Sequence, residues 1–101
     1  DFEIHMEDSL KAGNGKNNKK MLEIMVSEGP KNIQNLIDYG VDFDKNERGH
    51  DLTLEGGHTK RRILHYKDTT GKRVIEVLAQ TAFKKNNIEI NERTMVLNVK
   101  F

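Results

Sequence analysis

Near the middle of the chain the sequence runs Leu52-Thr53-Leu54-Glu55-Gly56-Gly57-His58-Thr59-Lys60-Arg61-Arg62-Ile63-Leu64-His65. Leu52 and Leu54 alternate with polar residues, as in a half-buried strand, and a second short strand is predicted from Ile63 to Tyr66. The two glycines between them carry no Cβ atom, so the backbone can approach a ligand closely at that point. The run therefore predicts two strands joined by a turn at the edge of a cleft.

Four charged or titratable residues beside the glycines are candidates for binding a ligand. A carboxylate such as Glu55 can bind an ammonium group, and His58 can donate to an anion or move a proton. Arg61 and Arg62 suit a substrate carboxylate or a cofactor phosphate, because a guanidinium donates two parallel hydrogen bonds. A tight turn with solvated polar side chains explains the same residues, so from spacing alone both interpretations stay open.

Helices are predicted on both sides of this run. A short helix covers about residues 2–12, a loop rich in glycine and asparagine follows, and apolar residues at three- and four-residue spacing predict a helix over 19–28. Gly29 is expected to end this helix and Pro30 to begin another, which Gly40 caps. A long helix is predicted after the oxygen-rich Asp68-Thr69-Thr70-Gly71. Its inner face would carry Ile75, Leu78, Ala79, Ala82 and Phe83.

Both ends of the chain are expected to lie inside a longer protein. Asp1 begins the chain without a methionine, in an amphipathic segment. Thr94 to Phe101 alternates as a strand does, after a shorter strand predicted at Ile88 and Ile90. An alternating run that stops without a turn needs a neighbouring strand for its backbone groups. We therefore expect an internal piece whose exposed apolar faces self-associate, with a short complete protein as the alternative.

The totals limit the classes of protein that the chain can be. With 101 residues, 35% hydrophobic and 33% charged, it is expected to form a single unit over residues 1–101 with a modest core. A net charge of +1 favours neither nucleic acid nor an anionic membrane as a partner. No apolar run approaches the roughly 20 residues that cross a bilayer, and no signal-peptide pattern opens the chain, so a cytoplasmic protein is expected. The absence of cysteine excludes disulfides, thiolate zinc sites and cysteine nucleophiles.

Three further patterns carry little functional weight. The histidines do not have, with one another or with Glu55, the i,i+4 spacing of a helical metal site, so no metal is predicted. The Gly13-x-Gly15-Lys16 loop lacks the spacing of a phosphate-binding loop. The two basic clusters are not interleaved with aromatic residues, which a base-stacking surface would require, so no nucleic-acid partner is predicted.

A family resemblance runs through these segments. The run from Leu52 to His65, followed by Asp68-x-Thr70-Gly71, resembles the L-aspartate oxidase form of a segment in the succinate dehydrogenase and fumarate reductase flavoprotein superfamily. His5-Met6-Glu7-Asp8-Ser9-Leu10-Lys11-Ala12-Gly13 is similar to that family's upstream His-x-Glu-Asp-Thr-Leu-x-Ala-Gly stretch, and Leu36-Ile37-Asp38-x-Gly40-Val41-x-Phe43-Asp44 to the segment before the glycine pair. The resemblance implies an α/β fold: a fragment of a Rossmann-like FAD-binding domain, with helices packed on short strands and an α+β appearance in isolation.

The resemblance also implies an activity and roles for particular residues. In the whole enzyme the flavin of FAD takes a hydride from Cα of L-aspartate while a base removes the amine proton, and the iminoaspartate formed feeds quinolinate and NAD synthesis. Glu55 then meets the substrate's amino group, which succinate lacks. The backbone at Met95 and Val96 lies against the adenosine part of FAD. No role is implied for three other residues of the matched run, His58, Arg61 and Arg62.

Parts of that family's pattern are missing from the chain. Nothing in the sequence supplies the Gly-x-Gly-x-x-Gly turn that binds the FAD pyrophosphate, or the capping domain that grips the dicarboxylate. Asn14-Gly15-Lys16-Asn17 also departs from the family's Ala-Gly-Leu-Cys-like stretch. We therefore expect an internal part of the FAD-binding domain that is inactive alone, with L-aspartate and the remainder of the parent chain as partners. Another dicarboxylate oxidoreductase of the superfamily and a non-catalytic binding module are the alternatives.

Overall fold

Three helices and one short hairpin form the regular structure of the computed structural model, which describes residues 1–101. Helix α1 spans Phe2–Ala12, α2 spans Lys19–Asp38 and α3 spans Thr70–Phe83. Strands β1 (Lys45–Asn46) and β2 (Gly49–His50) pair in the antiparallel sense. None of the helices is both long and apolar enough to cross a membrane. The predicted mixture of helix and strand is confirmed, as are the first and last helices, and helix dominates. The inner face predicted for the last helix is wrong at Ile75 and Phe83, which are exposed, because Val77 faces the core instead.

Helix α2 is a single helix where the sequence predicted two. It begins after Asn18, whose side-chain oxygen accepts a hydrogen bond from Met21 N at 3.2 Å, and it continues through Gly29 and Pro30 to Asp38. The predicted break at Gly29 is therefore wrong. One inward-facing stripe runs along the whole helix and holds Leu22, Val26, Ile33, Leu36 and Ile37. Burial of this continuous stripe outweighs the roughly 3 kcal/mol that a proline costs inside a helix.

The core is small and lies where α2, α3 and the segment after α2 meet. Gly40, with a φ of +105° that favours glycine, turns the chain after α2, and Val41 N donates to Leu36 O at 3.0 Å. Val41 and Phe43 are exposed by only 2% and 5%, and Val77 of α3 completes the cluster. The half-buried residues around it are Ile33, Leu36, Ile37, Leu64 and Val74. The helices thus pack mainly on the unpaired segment after α2, and of the predicted strands only the one at 63–66 reaches the core, through Leu64.

Most of the predicted strands do not form. Those expected at 52–54 and 63–66 are reduced to one antiparallel bridge, in which Thr53 N donates to Ile63 O at 2.9 Å and Ile63 N to Thr53 O at 3.3 Å. The strands predicted over 88–90 and 94–101 are absent, and those residues are exposed. A strand needs a neighbour to pair its backbone N–H and C=O groups, and no other segment of these 101 residues forms a ladder with them.

His65 ties the hairpin to the chain that follows it. Its Nε2 lies 3.0 Å from Asp51 Oδ2 and its Nδ1 lies 3.3 Å from Asp44 Oδ2, so the two acids that flank the hairpin hold one imidazole. The hydrogen bond with Asp51 is the main cause that raises the pKa of His65, and the negative charge of Asp44 adds to it. Asp44 N also donates to His65 O at 2.7 Å. These contacts keep residues 44–51 beside 63–65.

Replacing Val77 with alanine should destabilise the chain much more than the same change at Ile75. Val77 is 7% exposed in the core, whereas Ile75, two residues earlier in α3, is 69% exposed. We expect Val77→Ala to lower the free energy of unfolding by roughly 1 to 3 kcal/mol, because it removes buried carbons and leaves a cavity. Ile75→Ala should change it by less than about 0.5 kcal/mol. Urea unfolding followed by circular dichroism measures both, and equal losses would contradict this placement of the core.

Candidate functional site

The glycine pair forms a tight turn beside the C-terminal end of α1. His58 N donates to Glu55 O at 3.2 Å, which closes a four-residue turn. Gly57 has a φ of +82°, the left-handed value that the third residue of a type II turn adopts and that favours glycine. A Cβ atom added to Gly57 would lie 3.6 Å from Ala12 Cβ, so the turn rests against α1. Glu55 is exposed, at the start of the turn.

Asp8 of α1 is the only buried charged residue, and it holds the chain that follows the turn. Its carboxylate accepts hydrogen bonds from Thr59 N at 2.8 Å, from Thr59 Oγ1 at 3.0 Å and from Arg62 Nη1 at 2.8 Å. The bond from the Thr59 backbone is the main cause that lowers the pKa of Asp8 to about 2, and the bond from Arg62 adds to it. The buried carboxylate therefore stays ionised at neutral pH and fixes two residues of the loop to α1.

Arg62 joins α1 to the turn through three partners. Its Nε and Nη2 donate to the two carboxylate oxygens of Asp1 at 2.6 and 3.0 Å, while Nη1 lies 2.8 Å from Asp8 Oδ2 and 2.7 Å from His58 Nδ1. The Arg62 side chain is only 9% exposed. Asp1 and Asp8 are two helical turns apart and so share one face of α1. One guanidinium therefore bridges two carboxylates of the helix and a histidine of the turn.

A second histidine lies close to the hydrogen-bond network that Asp1, Asp8, His58, Thr59 and Arg62 form. The His5 ring of α1 is centred 5.6 Å from the His58 ring, with the planes tilted by 51°. Partial burial is the main cause that lowers the pKa of His5, and the positive charge of Arg62 lowers it further against the opposing negative charge of Asp8. His5 is therefore favoured in its neutral form, in which one ring nitrogen can accept a hydrogen bond.

Two concave surfaces adjoin the network. A cleft of about 790 Å³ opens between α1, the middle of α2 and the segment from 50 to 64. Its walls include apolar side chains of α2 and, on the opposite side, His5, His50, Arg61 and Arg62. A smaller cavity of about 430 Å³ is lined by Asp8, Lys11, Ala12, Gly57, His58 and Thr59. The side chains around both surfaces include several hydrogen-bond donors, which suits an anionic ligand group.

The structure brings together only some of the residues that the sequence singled out. His58 and Arg62 touch, whereas Glu55 lines neither concave surface and Met95 and Val96 make no hydrogen bond with the turn. Sequence reasoning missed three members of the network, which are Asp1, Asp8 and Thr59. The spacing of residues in the sequence cannot show that two residues 51 positions apart, such as Thr59 and Asp8, are in contact. The one available signal was the place of Asp8 inside the family-like run from His5 to Gly13.

The two residues predicted to meet the cofactor lie on the surface of the chain. Met95 and Val96 are 80% and 76% exposed, and their backbone groups form no hydrogen bond within the chain. No group of three or more histidine or acidic side chains has the arrangement of a metal site.

Nearly the whole chain matches known proteins in sequence. A family profile described as FAD binding domain matches residues 1–100. Proteins named L-aspartate oxidase from Clostridium perfringens and Clostridium acetobutylicum are 39% and 41% identical to the chain, over 98% of it and 23% of their own length. A protein of the same name from Neisseria meningitidis is 40% identical over 99% of the chain and 20% of its own length. The chain thus spans about a fifth of the length of the curated relatives it matches.

Solved structures with the same arrangement of elements also exist. A chain of the Mycobacterium smegmatis Sdh1 complex in the apo form is similar, with a TM-score of 0.77 and 32% sequence identity over 81% of this chain and 14% of that one. The Sdh1 structure in complex with UQ1 has a TM-score of 0.76 and 33% identity over 80% of this chain. The fold described above therefore occurs inside a much longer chain.

Replacing Gly57 with alanine should disturb the turn, and replacing Gly56 should not. Gly57 has a positive φ, which costs a residue with a Cβ atom roughly 1 to 2 kcal/mol, whereas Gly56 has no such φ and open space around it. We expect Gly57→Ala to lower the melting temperature and Gly56→Ala to leave it within a degree or two, since only the former strains the backbone. Thermal unfolding of the two variants beside the unchanged chain tests this. Equal melting temperatures for the two variants would contradict the turn geometry.

Acid should weaken the network by protonating Asp8. Because the pKa of Asp8 is lowered from 3.8 to about 2 in the folded chain, the stability that its ionised form contributes is present above about pH 4 and is lost as the pH falls through about 2. Asp8→Asn should therefore flatten the fall of melting temperature over this range of pH. Asp68→Asn, at an exposed aspartate outside the network, is the control. An unchanged slope in Asp8→Asn would show that Asp8 is not the group that titrates.

Proposed function

The chain belongs to the FAD-binding domain family, and we propose that it is part of an FAD-dependent L-aspartate oxidase, which converts L-aspartate to iminoaspartate. The observation that carries the proposal is the match of nearly the whole chain to several proteins of that name at about 40% identity. Since the chain spans about a fifth of their length, the activity is proposed for a longer protein, and the 101 residues alone are proposed to be inactive.

Glu55 is the residue that we propose to recognise the substrate. Its carboxylate is exposed at the start of the glycine turn, and the turn is anchored to α1 on its other side. An exposed carboxylate next to a bare backbone can form a charge-assisted hydrogen bond with the ammonium group of L-aspartate. Succinate has the two carboxylates of aspartate without the ammonium group, so Glu55 would discriminate between the two.

FAD would be held partly by the backbone at Met95 and Val96 in this proposal. Their free N–H and C=O groups suit the adenosine part of the cofactor, within a Rossmann-like parent domain. When bound, FAD supplies the acceptor for the hydride that leaves the substrate Cα. The residues of this chain bind and orient the reactants. The exposed side chains of 95–101 also support the proposal that this segment packs against the remainder of the parent chain, or against another copy when isolated.

The main alternative is another dicarboxylate oxidoreductase of the same superfamily. The similarity to a chain of the Sdh1 complex favours it, because that similarity covers 81% of this chain. The acidic residue at position 55 favours L-aspartate, since a substrate without an ammonium group gives it nothing to bind. A cytoplasmic location stays a prediction, and the tobacco relatives are named chloroplastic.

Changing Glu55 to glutamine in the full-length enzyme should selectively impair the use of L-aspartate. A hydrogen bond between charged groups contributes roughly 1.5 to 3 kcal/mol, so we expect kcat/KM for aspartate to fall about 10- to 100-fold. Binding of succinate should change by less than about twofold, because succinate has no group that Glu55 would hold. Steady-state kinetics with added FAD and competition by succinate give both values.

A matched control is Glu47→Gln. Glu47 is an exposed glutamate between β1 and β2, away from the glycine turn, and its change should leave both values unaltered. Unchanged aspartate turnover in Glu55→Gln would show that Glu55 does not bind the substrate, and its proposed role in recognition would be wrong.

A further inference from the structure

The contact between Arg62 and His58 decides where the histidine carries its hydrogen. Arg62 Nη1 lies 2.7 Å from His58 Nδ1. A guanidinium has five N–H donors, no acceptor, and no accessible neutral form, so Nδ1 of the imidazole has to accept. In the neutral ring the hydrogen is then on Nε2, and that nitrogen is a donor. The contact thus selects one of the two tautomers of His58.

We propose that Arg62 is a positioning residue that fixes His58 as an Nε2–H donor for a carboxylate group of the substrate. The proposal rests on the proposed function for the identity of that substrate, an amino acid with two carboxylates. It adds a second recognition element to the turn: Glu55 would bind the ammonium group, and His58 would bind a carboxylate.

The surroundings of Arg62 explain why it can hold the imidazole in one state. Its side chain is 9% exposed, and besides His58 it donates to Asp1 from Nε and Nη2 and to the buried Asp8 from Nη1. Asp8 is in turn held by the backbone N–H of Thr59, which is the residue directly after His58. Hydrogen bonds therefore join Thr59 to Asp8, Asp8 to Arg62 and Arg62 to His58, and the peptide bond between His58 and Thr59 closes the ring. In such an arrangement the guanidinium cannot turn away without leaving the buried negative charge of Asp8 without its positive partner.

The cavity next to the turn has the chemistry that a carboxylate requires. His58 lines it together with Lys11, whose ammonium group is a second donor. The negative charge of Asp8 on the same wall is already matched by Arg62 and by the two donors of Thr59. The donors of His58 and Lys11 therefore remain available to an incoming anion. A volume of about 430 Å³ leaves room for a small dicarboxylate.

Succinate binding by the full-length enzyme tests the roles of Arg62 and His58 independently of the role of Glu55. Succinate carries the carboxylates of the substrate without its ammonium group, so its dissociation constant reports on His58 and not on Glu55. We expect Arg62→Gln to raise this constant about tenfold, measured by titration calorimetry on the FAD-loaded protein. Arg73→Gln removes another arginine–aspartate pair, 2.7 Å long, at Asp42 and should change it less than about twofold.

The same Arg62→Gln change, made in a variant of His58, separates a positioning role of Arg62 from a general contribution to folding. His58→Leu keeps a side chain of similar size without its N–H donor, so it should itself raise the dissociation constant for succinate about tenfold. In that background Arg62→Gln should have little further effect. A tenfold loss in both backgrounds would overturn the proposal, because Arg62 would then act on the fold alone. An unchanged dissociation constant in Arg62→Gln would overturn it as well.

A further variant keeps the proposal testable if Arg62→Gln does not fold. If Arg62→Gln does not fold, Asp8→Asn removes the buried charge that holds Arg62 Nη1 while keeping the shape of the carboxylate, and the same pattern across the two backgrounds is expected. The function and the inference fail in different ways. Loss of aspartate selectivity in Glu55→Gln with no response of succinate binding to Arg62 or Asp8 would leave the function standing and remove the positioning role.

Discussion

The buried carboxylate of Asp8 is the constraint on which the arrangement of the site depends. An ionised group that is removed from water has to be matched by opposite charge and by hydrogen bonds, or the folded state is strongly destabilised. Asp8 obtains both from one short stretch of chain, through the backbone and hydroxyl of Thr59 and the guanidinium of Arg62. The loop after the glycine turn is therefore attached to α1 by the need to satisfy one side chain.

This attachment explains how a chain with so small a core can present an ordered site. Only six of its 101 residues are buried, and the apolar cluster around Val41, Phe43 and Val77 lies by α2 and α3. The glycine turn lies on α1 and is held by hydrogen bonds instead of apolar packing. Polar networks of this kind fix geometry, because each bond has a preferred direction, whereas apolar contacts tolerate sliding. The position of Glu55 and the tautomer of His58 both follow from that geometry.

The helices could be predicted from the sequence to a large extent, and the strands could not. Helices α1 and α3 form where periodicity placed them, because a helix satisfies its own backbone hydrogen bonds within one segment. The break expected at Gly29 is absent, since the stripe from Leu22 to Ile37 continues across Pro30 and is buried as one face. A strand depends on a neighbour, and the segment from 94 to 101 has none among these residues.

The sequence of neighbouring residues was sufficient to predict the family and the glycine turn. It was also sufficient to single out Glu55, His58 and Arg62 as candidates, because short runs of residues carry that information. Tertiary structure alone decided that Arg62 meets Asp1 and Asp8, and that Thr59 meets Asp8 across 51 positions. The physical reason is that periodicity states which face of a helix is buried, but not which charged group lies opposite it. That choice is made when α1 and the loop come together, because the buried carboxylate of Asp8 needs hydrogen-bond donors and an opposite charge, which Thr59 and Arg62 supply.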